Sequence, residues 1–270
     1  MPDPAATPGA AVLAMQRRRA LRRQLCLTAA VLVALTLWSS WGTGFAVPRL
    51  VEGLPHIYDL GSRMLPPDLR ILPSASQAMI ETIQMALVGT VVAACLALPL
   101  ALLAAANTAP HPAFVNVARL ALNTLRTIPE LVYALLLVSA VGLGPFPGVV
   151  AISLHATGGM GKLYAEAIES VSPTVSEALE AAGAGRFKVI WFGILPTCLP
   201  LIITNTLFYW EYNNRASAIL GLVGAGGIGF AFTTAMQAFE YRKATTCVLL
   251  VVLILTLIDR ISATLRARVI

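Results

Sequence analysis

Arg119, Asn123, Arg126 and Glu130 stand at i, i+4, i+7 and i+11, the spacing of one continuous helix face, in a chain otherwise short of charge. Guanidinium groups so arranged can hold an oxyanion through paired hydrogen bonds. Lys162 and Arg215 add cationic attraction points, and Asn213 and Asn214 add neutral polar groups beside the latter. Arg126 and Glu130, four residues apart, can equally pair with each other, so ligand contact and an internal ion pair both stand as readings. His155, alone among apolar neighbours, reads as a hydrogen-bonded core residue and stays outside the candidate site.

Catalytic and metal chemistry find no support. Neither H-E-x-x-H nor G-x-S-x-G occurs, nor a pair of catalytic carboxylates in the apolar runs. Cys26, Cys95, Cys198 and Cys247 all lie in apolar runs without C-x-x-C spacing, so they read as small hydrophobes, with no metal site and no disulfide framework. Gly224-x-Gly226-x-x-Gly229 fits a dinucleotide pattern, but no strand precedes it and no acidic residue follows about 20 positions on. Gly161-Lys162 looks like the end of a phosphate-binding loop, yet Ala156 replaces the first glycine and Leu163 the hydroxyl residue that would meet magnesium.

The elements that must carry these residues are membrane helices. Of 270 residues, 57% are hydrophobic and 12% charged, about half the usual charged share of a soluble domain. Charge-free runs recur at 24–48, 82–118, 131–161, 189–210, 216–239 and 244–258, apolar on every face, which excludes the alternation of outer-membrane strands. The fold class is all-α and polytopic, with about six transmembrane helices. A basic tail, 1–23, disordered over its Pro-, Ala- and Gly-rich residues 1–16, precedes an uncleaved first span at 24–42, and a proline-containing segment, 43–74, forms an irregular or surface-lying connection. Further spans are expected from Ser76 to Ala106, from the turn at Pro110-His111-Pro112 to Gly142, from the Gly144–Gly148 reversal to near Glu169, from Ile194 to Glu211, and from Tyr241 to Arg260. The glycine run 221–229 has two readings, a re-entrant bend exposing backbone N–H groups to the path and close helix packing. Ten of the 19 Lys and Arg lie in the tail, the 170–192 loop and the C-terminal end. Six spans put all three on the cytoplasmic side by the positive-inside rule, although Arg49, Arg63, Arg70, Arg242 and Lys243 then fall outside.

The loop is the most informative segment. Ser172-Pro173 is a good helix start, Glu177 to Ala182 is strongly helix-forming, Gly183 or Gly185 can end that helix through a positive φ, and Arg186 to Phe192 starts another. Such an elbow offers a rigid knob to a soluble partner.

Here the chain resembles the permease subunits of bacterial ATP-binding-cassette (ABC) importers, whose loop reads E-A-A, three residues, G, nine residues, I, one residue, L-P. Glu177, Ala178, Gly183, Leu195 and Pro196 match in register, and Leu179 and Gly193 depart. Arg126-Thr127-Ile128-Pro129-Glu130-Leu131 and the run Gly221–Gly229 look most like the phosphonate-type (PhnE-like) branch. The resemblance implies a MetI-like permease core over 75–270 with one extra N-terminal helix and a cytoplasmic coupling loop at 172–192. It implies ATPase coupling through Glu177, Ala178, Gly183, Arg186 and Lys188, and a substrate pathway in which Arg126, Glu130, Lys162, Asn213, Asn214 and Arg215 are the candidates. The expected function is import of phosphonate, phosphite or phosphate, with a second permease copy or close relative, two cytoplasmic ATPases that hold ATP and magnesium, and an extracytoplasmic solute-binding protein as partners. The chain itself is expected to bind no cofactor, metal or nucleic acid and to be no enzyme. The alternatives are a permease for another small solute and a secondary transporter, for which internal repeats and midplane coupling carboxylates would be the sign.

Overall fold

The computed structural model describes residues 8–45 and 47–269. It is helical, without a strand among the described residues, and divides into two compact units, one up to Leu60 and one from Gly61 onward.

The first unit holds α1, Pro8–Thr43, and most of α2, Val47–Met64. The tail expected to be disordered is helical from Pro8 and continues through the basic segment into the apolar stretch Leu21–Thr43, because Ala, Leu, Gln and Arg are all good helix formers. Residues 1–7 of the expected tail lie outside the described residues. Of the two readings of 43–74, irregular and surface-lying, the irregular one is corrected, since α2 occupies 18 of its residues.

In the second unit a short turn, Leu69–Ile71, leads into α3, Leu72–Ala104. Its buried positions, among them Ala75, Met79, Thr82, Ala86, Ala93, Ala97 and Ala101, recur every three or four residues. A stripe of small side chains lets a neighbouring helix approach closely. That neighbour is α6.

Between them in the chain come α4, Pro112–Thr127, and α5, Glu130–Val141, bent by 79° at the break. A single third helix was expected. Pro129 prevents it, for a residue before proline is driven out of the helical region, and Ile128 is extended at φ −81, ψ 119.

Helix α6, Pro145–Glu169, follows the positive-φ Gly142 and Gly144 and is buried along much of its length. Its glycines set the packing. A Cβ at Gly158 would stand 2.6 Å from the Leu122 carbonyl oxygen on α4, and one at Gly159 would collide with the Tyr209 hydroxyl.

The loop is α7, Pro173–Ala181, and α8, Arg186–Val189, followed by a π-turn at Ile190–Ile194. Then come α9, Leu195–Leu220, α10, Gly227–Gln237, and α11, Tyr241–Val269. Among the described residues four helical stretches are long and apolar enough to cross a membrane, or five when the bent α4–α5 pair counts as one. The fourth expected crossing, α6, is not among them. Much of it is buried against neighbouring helices.

Candidate functional site: a coupling elbow and a polar cleft

Ser172 Oγ accepts from the Thr174 N–H at 3.4 Å, and Pro173 opens α7. The helix closes as the Gly183 N–H donates to Glu180 O and the Ala184 N–H to Leu179 O, both at 2.9 Å. This closure needs φ +84 at Gly183, whereas Gly185 keeps an ordinary negative φ. An added Cβ at Gly183 would touch nothing within 4 Å, so conformation rather than space demands glycine there.

Arg186 ties the elbow down. Its guanidinium donates to Thr108 O at 3.0 Å and to Ala109 O, on the α3–α4 connection. Glu177, Ala178 and Lys188 are exposed. So are three aromatics absent from the candidate residues, Phe187, Trp191 and Phe192, the first two stacked with planes 9° apart. Their placement i, i+4 and i+5 was the available signal.

The cationic candidates separate into two places. Arg119, Asn123, Arg126 and Lys162 line a cleft of about 320 Å³ between α4 and α6, with Glu166 and Glu169. Arg119 pairs with Glu169 at 2.6 Å, and Glu169 Oε1 also accepts from the Ala106 N–H at 2.7 Å. Lys162 lies 3.5 Å from Glu166. Arg126 makes no ion pair among the described residues; its Nε donates to Asn123 Oδ1 at 3.2 Å.

Glu130 is not on that face and does not pair with Arg126. Beyond the break, it accepts from the Tyr212 hydroxyl at 3.1 Å and lies 3.4 Å from His155 Nε2. His155 Nδ1 donates to Ile128 O at 3.0 Å. The carbonyl freed by the bend and the first residue of α5 are thus held by one cluster from α6 and α9. His155 is a bonded partner, as expected, and reaches a residue of the candidate pathway.

Arg215 is engaged with Glu211 at 3.0 Å and Asp259 at 2.8 Å, and Arg266 adds a pair to Glu211 at 3.1 Å. These four charges join α9 to α11, and none of them lines the cleft. Asn213 is buried and donates to Thr90 Oγ1 at 2.8 Å. Asn214, also buried, donates to Trp210 O at 2.7 Å.

The glycine run packs closely, one of its two readings. A Cβ at Gly221 would stand 2.6 Å from the Phe230 nitrogen. The N–H groups opening α10 are taken: Gly227 donates to Glu81 Oε1 at 3.2 Å and Ile228 to Thr82 Oγ1 at 2.9 Å.

Residues 97–270 match the family described as binding-protein-dependent transport system inner membrane component. The phosphite transport system permease protein PtxC of Stutzerimonas stutzeri is 40% identical over 238 residues, 88% of this chain and 86% of that protein. The phosphate-import permease protein PhnE of Mycolicibacterium smegmatis is 40% identical over 220 residues, 81% of this chain and 41% of that protein. Among solved structures, the MetNI methionine ABC transporter in an inward-facing form aligns at TM-score 0.67 and 18% identity, covering 75% of this chain and 99% of the matched one, a likeness of fold. This chain is a multi-pass membrane protein and belongs to the family of binding-protein-dependent transport system inner membrane components.

Proposed function

We propose that the chain is the permease subunit of an ATP-driven importer for a phosphorus oxyanion, phosphite, phosphate or phosphonate. The observation that carries the reading is the elbow α7–α8, which presents exposed Glu177, Ala178 and Lys188 on a frame anchored through Arg186. Identity of 40% to permeases named for phosphite and phosphate supports the cargo class.

In this reading α6 completes six crossings, the elbow and the basic segments at 17–23 and 260–268 face the cytoplasm, and a second permease copy or close relative completes the path. Two ATPase subunits, which hold ATP and magnesium and hydrolyse the nucleotide, dock on the elbows, and a solute-binding protein delivers cargo at the opposite face. Closure of the ATPases moves α7 and α8, which pull on the α3–α4 connection through Arg186 and on α9 through the π-turn. Two packed arrangements then expose the path alternately. The cleft charges, with Arg126 unpaired, attract the anion on its way.

Co-purification with the cognate ATPase tests the reading. Glu177→Arg and Gly183→Asp should each abolish capture while leaving membrane insertion normal. Unchanged capture in both variants would return the chain to ion-coupled, secondary transport.

A further inference from the structure

Helix α2 is two-sided. At 100° per residue, Val51, Leu54, Ile57, Tyr58 and Met64 fall within an arc of about 140°, and Arg49, Glu52, His56, Asp59 and Arg63 within about 80° on the other side. The apolar side is uncovered: Val51, Leu54, Ile57 and Tyr58 are 57%, 54%, 58% and 79% exposed. Five charged or titratable residues in 18 exclude a membrane crossing.

Both ends of α2 are tied to membrane helices. The apolar stretch of α1 ends at Thr43, so residues 44–46 alone separate it from Val47, a reach of about 10 Å. At the other end, Met64 O accepts from Thr245 Oγ1 at 2.9 Å, in the first turns of α11, whose apolar stretch begins at Tyr241. A helix held this way cannot rise into solvent with its apolar side uncovered at low cost.

We propose that α2 lies in the plane of the bilayer at the face where α1 ends, its partner the lipid interface itself. Val51, Leu54, Ile57 and Tyr58 enter the boundary between headgroups and acyl chains. Arg49, Glu52, His56, Asp59 and Arg63 face water. Two arginines against two carboxylates leave this polar side without the cationic excess that draws helices to anionic lipid, so apolar burial does the holding and uncharged lipid suffices. The inference is independent of the transported solute.

Reporter cysteines test it in the full chain. In a Cys26→Ala, Cys95→Ala background, with buried Cys198 and Cys247 retained, an environment-sensitive fluorophore is attached at Leu54→Cys or Ile57→Cys, and at Glu52→Cys or His56→Cys. The protein is reconstituted in phosphatidylcholine vesicles carrying a nitroxide at a shallow acyl position. The first pair should show blue-shifted emission and at least twofold stronger quenching than the second, unchanged when anionic phosphatidylglycerol is added. Equal quenching at all four positions would overturn the proposal. So would a blue shift at Leu54→Cys and Ile57→Cys without nitroxide quenching, which would mean that protein, such as a second copy, covers the face. Quenching that appears only with anionic lipid would assign the attachment to headgroup charge and overturn it too.

Discussion

Leu179 lies over Gly193: a Cβ added to the glycine would stand 2.6 Å from the leucine Cδ1 and 3.2 Å from Val175 Cγ1. These are the two positions at which the loop departs from the importer signature, and they touch. A larger residue on α7 is matched by a smaller one in the π-turn beneath it.

Gly193→Ile should therefore overpack the elbow, at a cost of about 1–3 kcal/mol, while Leu179→Ala with Gly193→Ile recovers most of the loss. Thermal unfolding of the purified chain and ATPase capture both report on it. No recovery in the double variant would mean that the two side chains do not compensate.

Gly183→Ala should weaken the elbow through backbone conformation alone, since φ +84 is costly for an L side chain and nothing crowds the site. The expected penalty is about 1–2 kcal/mol. Gly183→Asn should be milder, and amide exchange across 177–188 would rise in the same order. Equal protection in all three proteins would contradict this account.

Tyr212→Phe should remove the hydroxyl that donates to Glu130, with a loss of about 1.5–3 kcal/mol for a bond to a carboxylate. His155→Ala should be worse, because the Ile128 carbonyl at the bend loses its donor. Denaturant unfolding in detergent measures both.

Arg126→Ala should raise the concentration of oxyanion needed for half-maximal uptake at least tenfold, about 1.4 kcal/mol, with Arg126→Lys between it and wild type. Arg215→Ala should instead lower stability, since it leaves Asp259 and Glu211 without their shared partner. Uptake assays paired with unfolding separate the two arginines.

What could be read in advance was local. Ser172-Pro173 and Gly183 announce the elbow because capping and positive φ depend on a few adjacent residues. The Glu130 cluster was not legible: Tyr212 lies 82 positions away in the chain, and nothing in the sequence spacing brings them together. Pro129 carried enough information to split the third helix, but the apolar residues on both sides outweighed it. The amphipathic periodicity of 47–64 was likewise obscured by Pro48 and Pro55, one near the helix start and the other inside it.

Helix α6 has a consequence for assembly during synthesis. Its glycines fit it to α4 and α9, yet by composition it falls short of the apolar helices that enter lipid unaided. In the proposed six-span arrangement its retention in the bilayer comes from segments already inserted, above all α3, whose small-residue stripe it packs against. A side chain too large at Gly158 would then act before any cargo is moved, and the defect would be read as protein failing to integrate and being degraded.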